Sequence, residues 1–403
     1  MKRRFVYTFT AILFFSLLSC VCFKRNAFAR SLSFNTSYIT AGGKLTWFNN
    51  NEGMSLFFEE LSMGHAYAFD QISASGWGKK NASFLLLMDL PLNLWLQMAS
   101  IGTFHEFGRF SRARAFGVKE PTFSHSNSAR TYKDPFSYYA SFLFTRPFCM
   151  TGSTDIKMTP NIYTATAGAN NAMLLAQNLS GQIDQGNGHI TDLVPYFLGK
   201  THSLFESSDK KTGNSLGDAL DLYRARDIHI SKGRVNTAAL LSFFLSASTY
   251  SYIKGVYDFH QSGKTSVEPL SFYGFKAPDV NVFLLERGLS YAITSAYDYD
   301  DTLSFPFEVE FVECGEKGKA EYTIGVSKTF TGFYDIALEG AISYGPSGFG
   351  WAIDCTIPLG KRFFIQAHAE PMNILGLYGQ RHVSEITKPK NINSYMIRFG
   401  MNY

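Results

Sequence analysis

The residues best placed to do chemistry stand together at His105-Glu106-Phe107-Gly108-Arg109. A neutral imidazole offers a lone pair to a metal ion, and a neighbouring carboxylate can take a proton from a bound water. On a helix the next side chain on the same face is four residues on, so a second ligand belongs at position 109. Arg109 stands there, and a guanidinium has no lone pair and stays protonated. His105 is therefore a candidate metal ligand and Glu106 a candidate general base of an incomplete constellation, with no third ligand evident from spacing. His65 and His125 are the histidines considered as replacements for the lost ligand. Left incomplete, the group is a polar cluster in which Glu106 pairs with Arg109 one turn on. Asp298, Asp300 and Asp301 form a weaker group. They lack calcium-loop spacing and suit a hydrophilic hairpin tip.

These five residues fall near the end of a long helical pattern from Phe84 to Arg114, interrupted near Pro91. On that helix His105 to Arg109 resembles a degenerate form of the His-Glu-x-x-His motif of zinc metalloproteases, matched only at His105 and Glu106. The resemblance implies a peptidase scaffold that has lost its zinc. The expectation is a non-enzymatic chain without a cofactor, the alternative being an inactive, degenerate zinc-peptidase-like membrane protein.

Further helices are expected over Asn171 to Leu179 and Asp218 to Asp227. Val235 to Ile253 is a charge-free run of 19 residues, read here as one buried helix although it is long enough to span a membrane.

From Gly288 onward the pattern changes to strict alternation. Phe305, Phe307, Val309 and Phe311 share one face, and Tyr322, Ile324 and Val326 repeat it. Tyr334 to Tyr344 and Phe349 to Leu359 continue the rhythm, with glycine-rich turns between the runs. Runs of this length suit tilted strands crossing a bilayer. The last strand alternates through Tyr395, Ile397, Phe399, Met401 and the terminal Tyr403. It resembles the C-terminal insertion strand of bacterial outer-membrane β-barrel proteins, which implies insertion in that membrane. Leu32, Phe34, Thr36 and Tyr38 supply an N-terminal strand to meet it.

The 403-residue chain is only 17% charged and 16% aromatic, with 38 Phe and 22 Tyr. That balance suits a surface facing lipid at its middle and headgroups at its rims. Lys2-Arg3-Arg4, the apolar run Val6 to Phe23 and Ala27-Phe28-Ala29 have the order of a cleavable export signal. Acylation at Cys20 or an uncleaved anchor are the alternatives. Removing the five basic residues of that segment from the total of 37 leaves 32 against 33 acids. No basic face for nucleic acid follows from that balance.

The chain is thus expected to be α+β: an export segment at 1–29, N-terminal strands at 30–49, a helical region at 50–265 and an antiparallel β-barrel of about eight strands at 266–403. The expected setting is the cell envelope, in the outer membrane, with lipid as partner and a structural or small-solute role.

Overall fold

In the computed structural model, the described residues are 31–40, 43–45, 51–75, 80–115, 121–125, 130–145, 153–155, 161–206, 215–315, 320–331, 336–345, 348–359, 363–372 and 392–402, with positions 78 and 118. The expected export segment and Cys20 lie outside them.

Two strands, β1 (Ser31–Thr40) and β2 (Gly43–Leu45), precede the helices α1 (Asn51–Ser73) and α2 (Ala82–Ala115). Short strands β3 (Thr122–Ser124), β4 (Thr131–Tyr132) and β5 (Ser153–Asp155) flank α3 (Pro135–Thr145). Then come α4 (Ile162–Asp184), β6 (Gly188–His189), a 3-10 turn (Ile190–Asp192), α5 (Leu193–Lys200), α6 (His202–Phe205), α7 (Ser215–Ala225), α8 (Lys232–Leu245) and α9 (Ala247–Ser262). The rest is strand: β7 (Ser266–Val267), β8 (Ser271–Phe272), β9 (Phe275–Lys276), β10 (Asp279–Leu285), β11 (Gly288–Asp300), β12 (Leu303–Gly315), β13 (Ala320–Phe330), β14 (Ile336–Gly345), β15 (Gly348–Leu359), β16 (Phe363–Met372) and β17 (Ile392–Asn402).

α4 is the central helix. Asn161 caps it, accepting from the Thr164 amide at 2.9 Å, while the Thr164 hydroxyl accepts from the Asn161 amide at 3.3 Å. Sixteen of its residues are buried, because α2 crosses one side and α5, α7 and β10 cover the others. Asn170 replaces a neighbouring strand for β10: its amide bonds both the carbonyl and the N–H of Leu284 at 2.8 Å. The helix α2 runs through Pro91 without a break. The charge-free run from Val235 does not form one helix. It divides at Ser246 into α8 and α9, since Ser246 caps the turn and its Oγ accepts from Val280 N at 2.9 Å. Nor is that run wholly buried, because Leu240, Leu241, Phe244, Leu245 and Ile253 face outward.

The C-terminal part is one antiparallel sheet in which β11 to β17 pair in sequence order and β1 pairs with β17, from Ser31 opposite Asn402 to Thr40 opposite Ser394. Twelve strands belong to it among the described residues. It is not the closed barrel expected: its path runs from β2 at one edge to β8 at the other, and those two do not pair. The edge strands have only three and two residues, and β10 pairs with β11 off that path and lies on α4 and α8.

The alternation read in the sequence places apolar side chains of β12 to β15 together on one exposed face. Phe307, Ile324, Ile342 and Trp351 are cross-strand neighbours in register, and all four are exposed. Tyr322, Tyr344 and Phe349 form the next exposed row. The opposite face holds polar residues turned inward: Glu310 accepts from Ser290 at 2.7 Å, and Gln177 of α4 donates to Glu308 at 3.3 Å.

A buried histidine-glutamate cluster

The His105 motif sits in the buried C-terminal half of α2, where that helix meets α4 at a glycine crossing. A Cβ at Gly108 would lie 2.6 Å from the Asn171 side chain and 2.7 Å from the Ala167 carbonyl oxygen. A Cβ at Gly168 would lie 2.2–2.4 Å from three atoms of the His105 ring. Only glycine at both positions lets the backbones approach this closely. Asn171 fastens the crossing, donating to Phe104 O at 2.9 Å and accepting from the fully buried Arg112 at 3.1 Å.

Across the crossing stands α6. His202 Nε2 lies 2.6 Å from His105 Nδ1, and Glu206 Oε1 lies 3.6 Å from His105 Nδ1 and 3.5 Å from His202 Nε2. The three residues are buried. Glu206 is itself oriented: its Oε2 accepts from the Leu216 amide at 3.1 Å, in the first turn of α7, where the helix dipole favours a carboxylate. Glu106 approaches the other side of the His105 ring, with Oε1 at 3.7 Å from Nε2, and its Oε2 is 3.6 Å from Arg109 Nη1. Arg109 continues outward to Asp218 on α7 at 3.8 Å.

Both imidazoles are held neutral. Burial, then the Arg109 charge, pushes His105 down to about 3, against a hydrogen bond to the Gly168 backbone that favours the charged form. Burial, then His105, holds His202 well below the ordinary histidine range. Neutral imidazoles are the form that ligates metal. One ring N–H bridges the pair at 2.6 Å, so a metal would take the place of that proton.

The comparisons find nothing to set beside this arrangement: no family model, no curated protein and no solved structure matches the chain. The site has to be read from its own chemistry. Two histidines and one glutamate form the ligand set of catalytic zinc centres of the thermolysin type, which leave a fourth position for water. Tetrahedral donors at zinc distances stand about 3.3 Å apart. The two glutamate edges, at 3.5 and 3.6 Å, are close to that value, and the histidine edge must open from 2.6 Å.

Of the residues singled out in the sequence, His105, Glu106 and Arg109 belong to the cluster. His65 and His125 do not. His65 Nε2 pairs with Asp89 at 2.8 Å, and His125 Nε2 bonds Ser141 at 2.8 Å inside an aromatic group with Tyr132, Tyr138 and Phe142. Asp298 pairs with Lys276 at 3.2 Å, and Asp300 accepts from the Thr302 amide at 2.7 Å in the hairpin turn, so the aspartates do not converge. Sequence reasoning missed His202 and Glu206. Their spacing of four residues, which would place two ligands on one helix face, was the available signal.

Proposed function

We propose that this chain is a membrane protein of the cell envelope whose helical region carries a metal-dependent hydrolase centre. The observation that carries the reading is the convergence of His105, His202 and Glu206 on one buried point from segments 97 residues apart. His105, His202 and Glu206 would hold a divalent metal there, and such a metal would supply an acidified bound water for hydrolysis of an acyl bond. Glu106, against the far nitrogen of His105, fixes that ring as the carboxylates behind metal-bound histidines do. Arg109 neutralises Glu106 and links the site to the surface at Asp218.

Zinc content tests the reading. Purified full-length protein, stripped with chelator and reloaded, is expected to bind about one zinc per chain. His202→Ala and Glu206→Gln should lose that zinc while keeping the circular dichroism of the parent. The zinc-loaded parent should cleave a fluorogenic casein that neither variant cleaves. A parent that takes up no zinc, or variants that retain it, overturns the proposal.

A second reading is favoured by the sheet alone: a non-enzymatic structural or small-solute role in the outer membrane. Its support is the row of exposed apolar side chains on β12 to β15. Conductance across planar bilayers by zinc-free protein would favour it.

A further inference from the structure

We propose that the outward face formed by the first half of α2 with α8 and α9 is covered by the hydrocarbon of a lipid bilayer, so that the helical region shares the membrane with the sheet. This rests on the lipid-seated reading of the chain and is independent of the metal centre.

The exposed side chains of the first half of α2 include Phe84, Leu87, Met88, Leu90 and Leu92, with Leu87 66% exposed. The acid in this half, Asp89, turns inward to His65. α8 presents Leu240, Leu241, Phe244 and Leu245 outward, and α9 presents Tyr250, Ile253 and Tyr257. A 2.6 Å bond between Ser83 Oγ and His260 Nδ1 joins the start of α2 to the end of α9, which makes the stripes neighbours.

The distribution of charge selects the occupant. No residue from Val235 to Ile253 is charged. Arg234 at the margin is paired with Glu313 of β12, and Lys254, the one charge on the exposed face of α9 beside Tyr250 and Tyr257, is paired with Asp258. Glu313 lies two residues beyond the outward-facing Phe311, so its pair with Arg234 ties the start of α8 to that end of β12. The β8–β9 hairpin turns through Tyr273-Gly274, both with positive φ, and leaves Tyr273 85% exposed. Just after it, the Pro278 carbonyl accepts from Ala247 at the start of α9 at 3.1 Å. Hydrocarbon faces bordered by aromatic residues match a bilayer and its interface. The polar groups on these stripes are bonded within the fold, Tyr250 to the Phe244 carbonyl, Lys254 to Asp258 and Ser83 to His260, which leaves little for a soluble partner to bond.

The test places a nitroxide on the full chain in phosphatidylethanolamine–phosphatidylglycerol liposomes, in a cysteine-free background. Met88→Cys, Leu241→Cys and Ile253→Cys probe the face, Ile324→Cys reports on the sheet, and Arg224→Cys on α7 is the water reference. At the three helical positions, collisional relaxation by oxygen is expected to exceed that by a nickel chelate, the reverse of the order at Arg224. Nickel-dominated relaxation overturns the proposal by showing water. Labels immobilised and shielded from both reagents overturn it by showing a protein cover. Water accessibility at Ile324 with oxygen dominance at Leu241 would sink the lipid-seated sheet and keep the helical face.

Discussion

The sheet and the helical core handle polar side chains differently. In the sheet, polarity is sorted by face: apolar side chains of β12 to β15 are exposed on one face, and Glu310 and Glu321, paired across β12 and β13, are buried on the other. Around α4, polarity is gathered into knots inside an apolar core. Glu59 receives Asn178 at 2.9 Å and Ser55 at 2.8 Å, Lys200 donates to Asn281 at 2.7 Å and Ser246 at 3.1 Å, and the histidine-glutamate cluster sits at the glycine crossing. The difference teaches what each region tolerates. A sorted sheet takes a new side chain at little cost if its polarity suits that face, whereas a knot depends on particular atoms at particular distances.

Substitutions can break or sharpen that contrast. The largest effect is expected for Ile324→Arg, at the centre of the outward face. In lipid it should cost about 2–4 kcal/mol, against a few tenths at an ordinary wet surface. Urea titration of liposome-inserted protein, followed by heat-modifiable migration on gels, measures it. An unchanged midpoint would mean that the sheet faces water. Next comes Gly168→Ala, whose methyl must displace the His105 ring. It should cost about 1–3 kcal/mol and lower zinc uptake, read by thermal melts and metal analysis. A normal melt with full zinc would show that the crossing is looser than its distances.

Asp184, at the end of α4, gives an effect of about 1–2 kcal/mol after allowance for solvent screening. Burial raises its pKa from 3.8 to about 6, with Lys276 opposing. The folded protein therefore holds this proton more tightly than the unfolded chain. Stability from this group is fully present below pH 3.8 and is lost as pH rises through about 6. Asp184→Asn should remove that decline and stabilise the protein at pH 7; a parallel pH profile in the variant would refute it. The smallest effect is expected for Gly340→Ala in the sheet, where the new methyl meets only the Ala352 carbonyl oxygen at 3.9 Å. Its unfolding midpoint should stay within about 0.5 kcal/mol of the parent.

Local rules made some of this legible in advance. Period-two alternation located the long strands from Tyr322 to Leu359 because a strand writes its two faces directly into consecutive residues. The helix around His105 was visible for the same reason, at a longer period. Closure of the sheet was not, since edge lengths depend on turns and on where β10 goes. The break at Ser246 was hidden because no proline or glycine marks it; the Ser246 hydroxyl is held there by the Val280 amide, 34 residues away. His202 and Glu206 were missed because the partner of His105 is chosen by a helix crossing, and a crossing set by Gly108 and Gly168 leaves no periodic trace.

The 97-residue separation of His105 and His202 gives the cluster a mechanical consequence. An ion bound there would tie α2 to α6 as a removable cross-link, closing a loop whose entropy in the unfolded chain is comparable to that closed by a long-range disulfide, about 4–5 kcal/mol. Through the Leu216 amide on Glu206, the tie extends to the first turn of α7. Resistance of the folded chain to proteolysis would then rise with bound metal and fall when a chelator removed it.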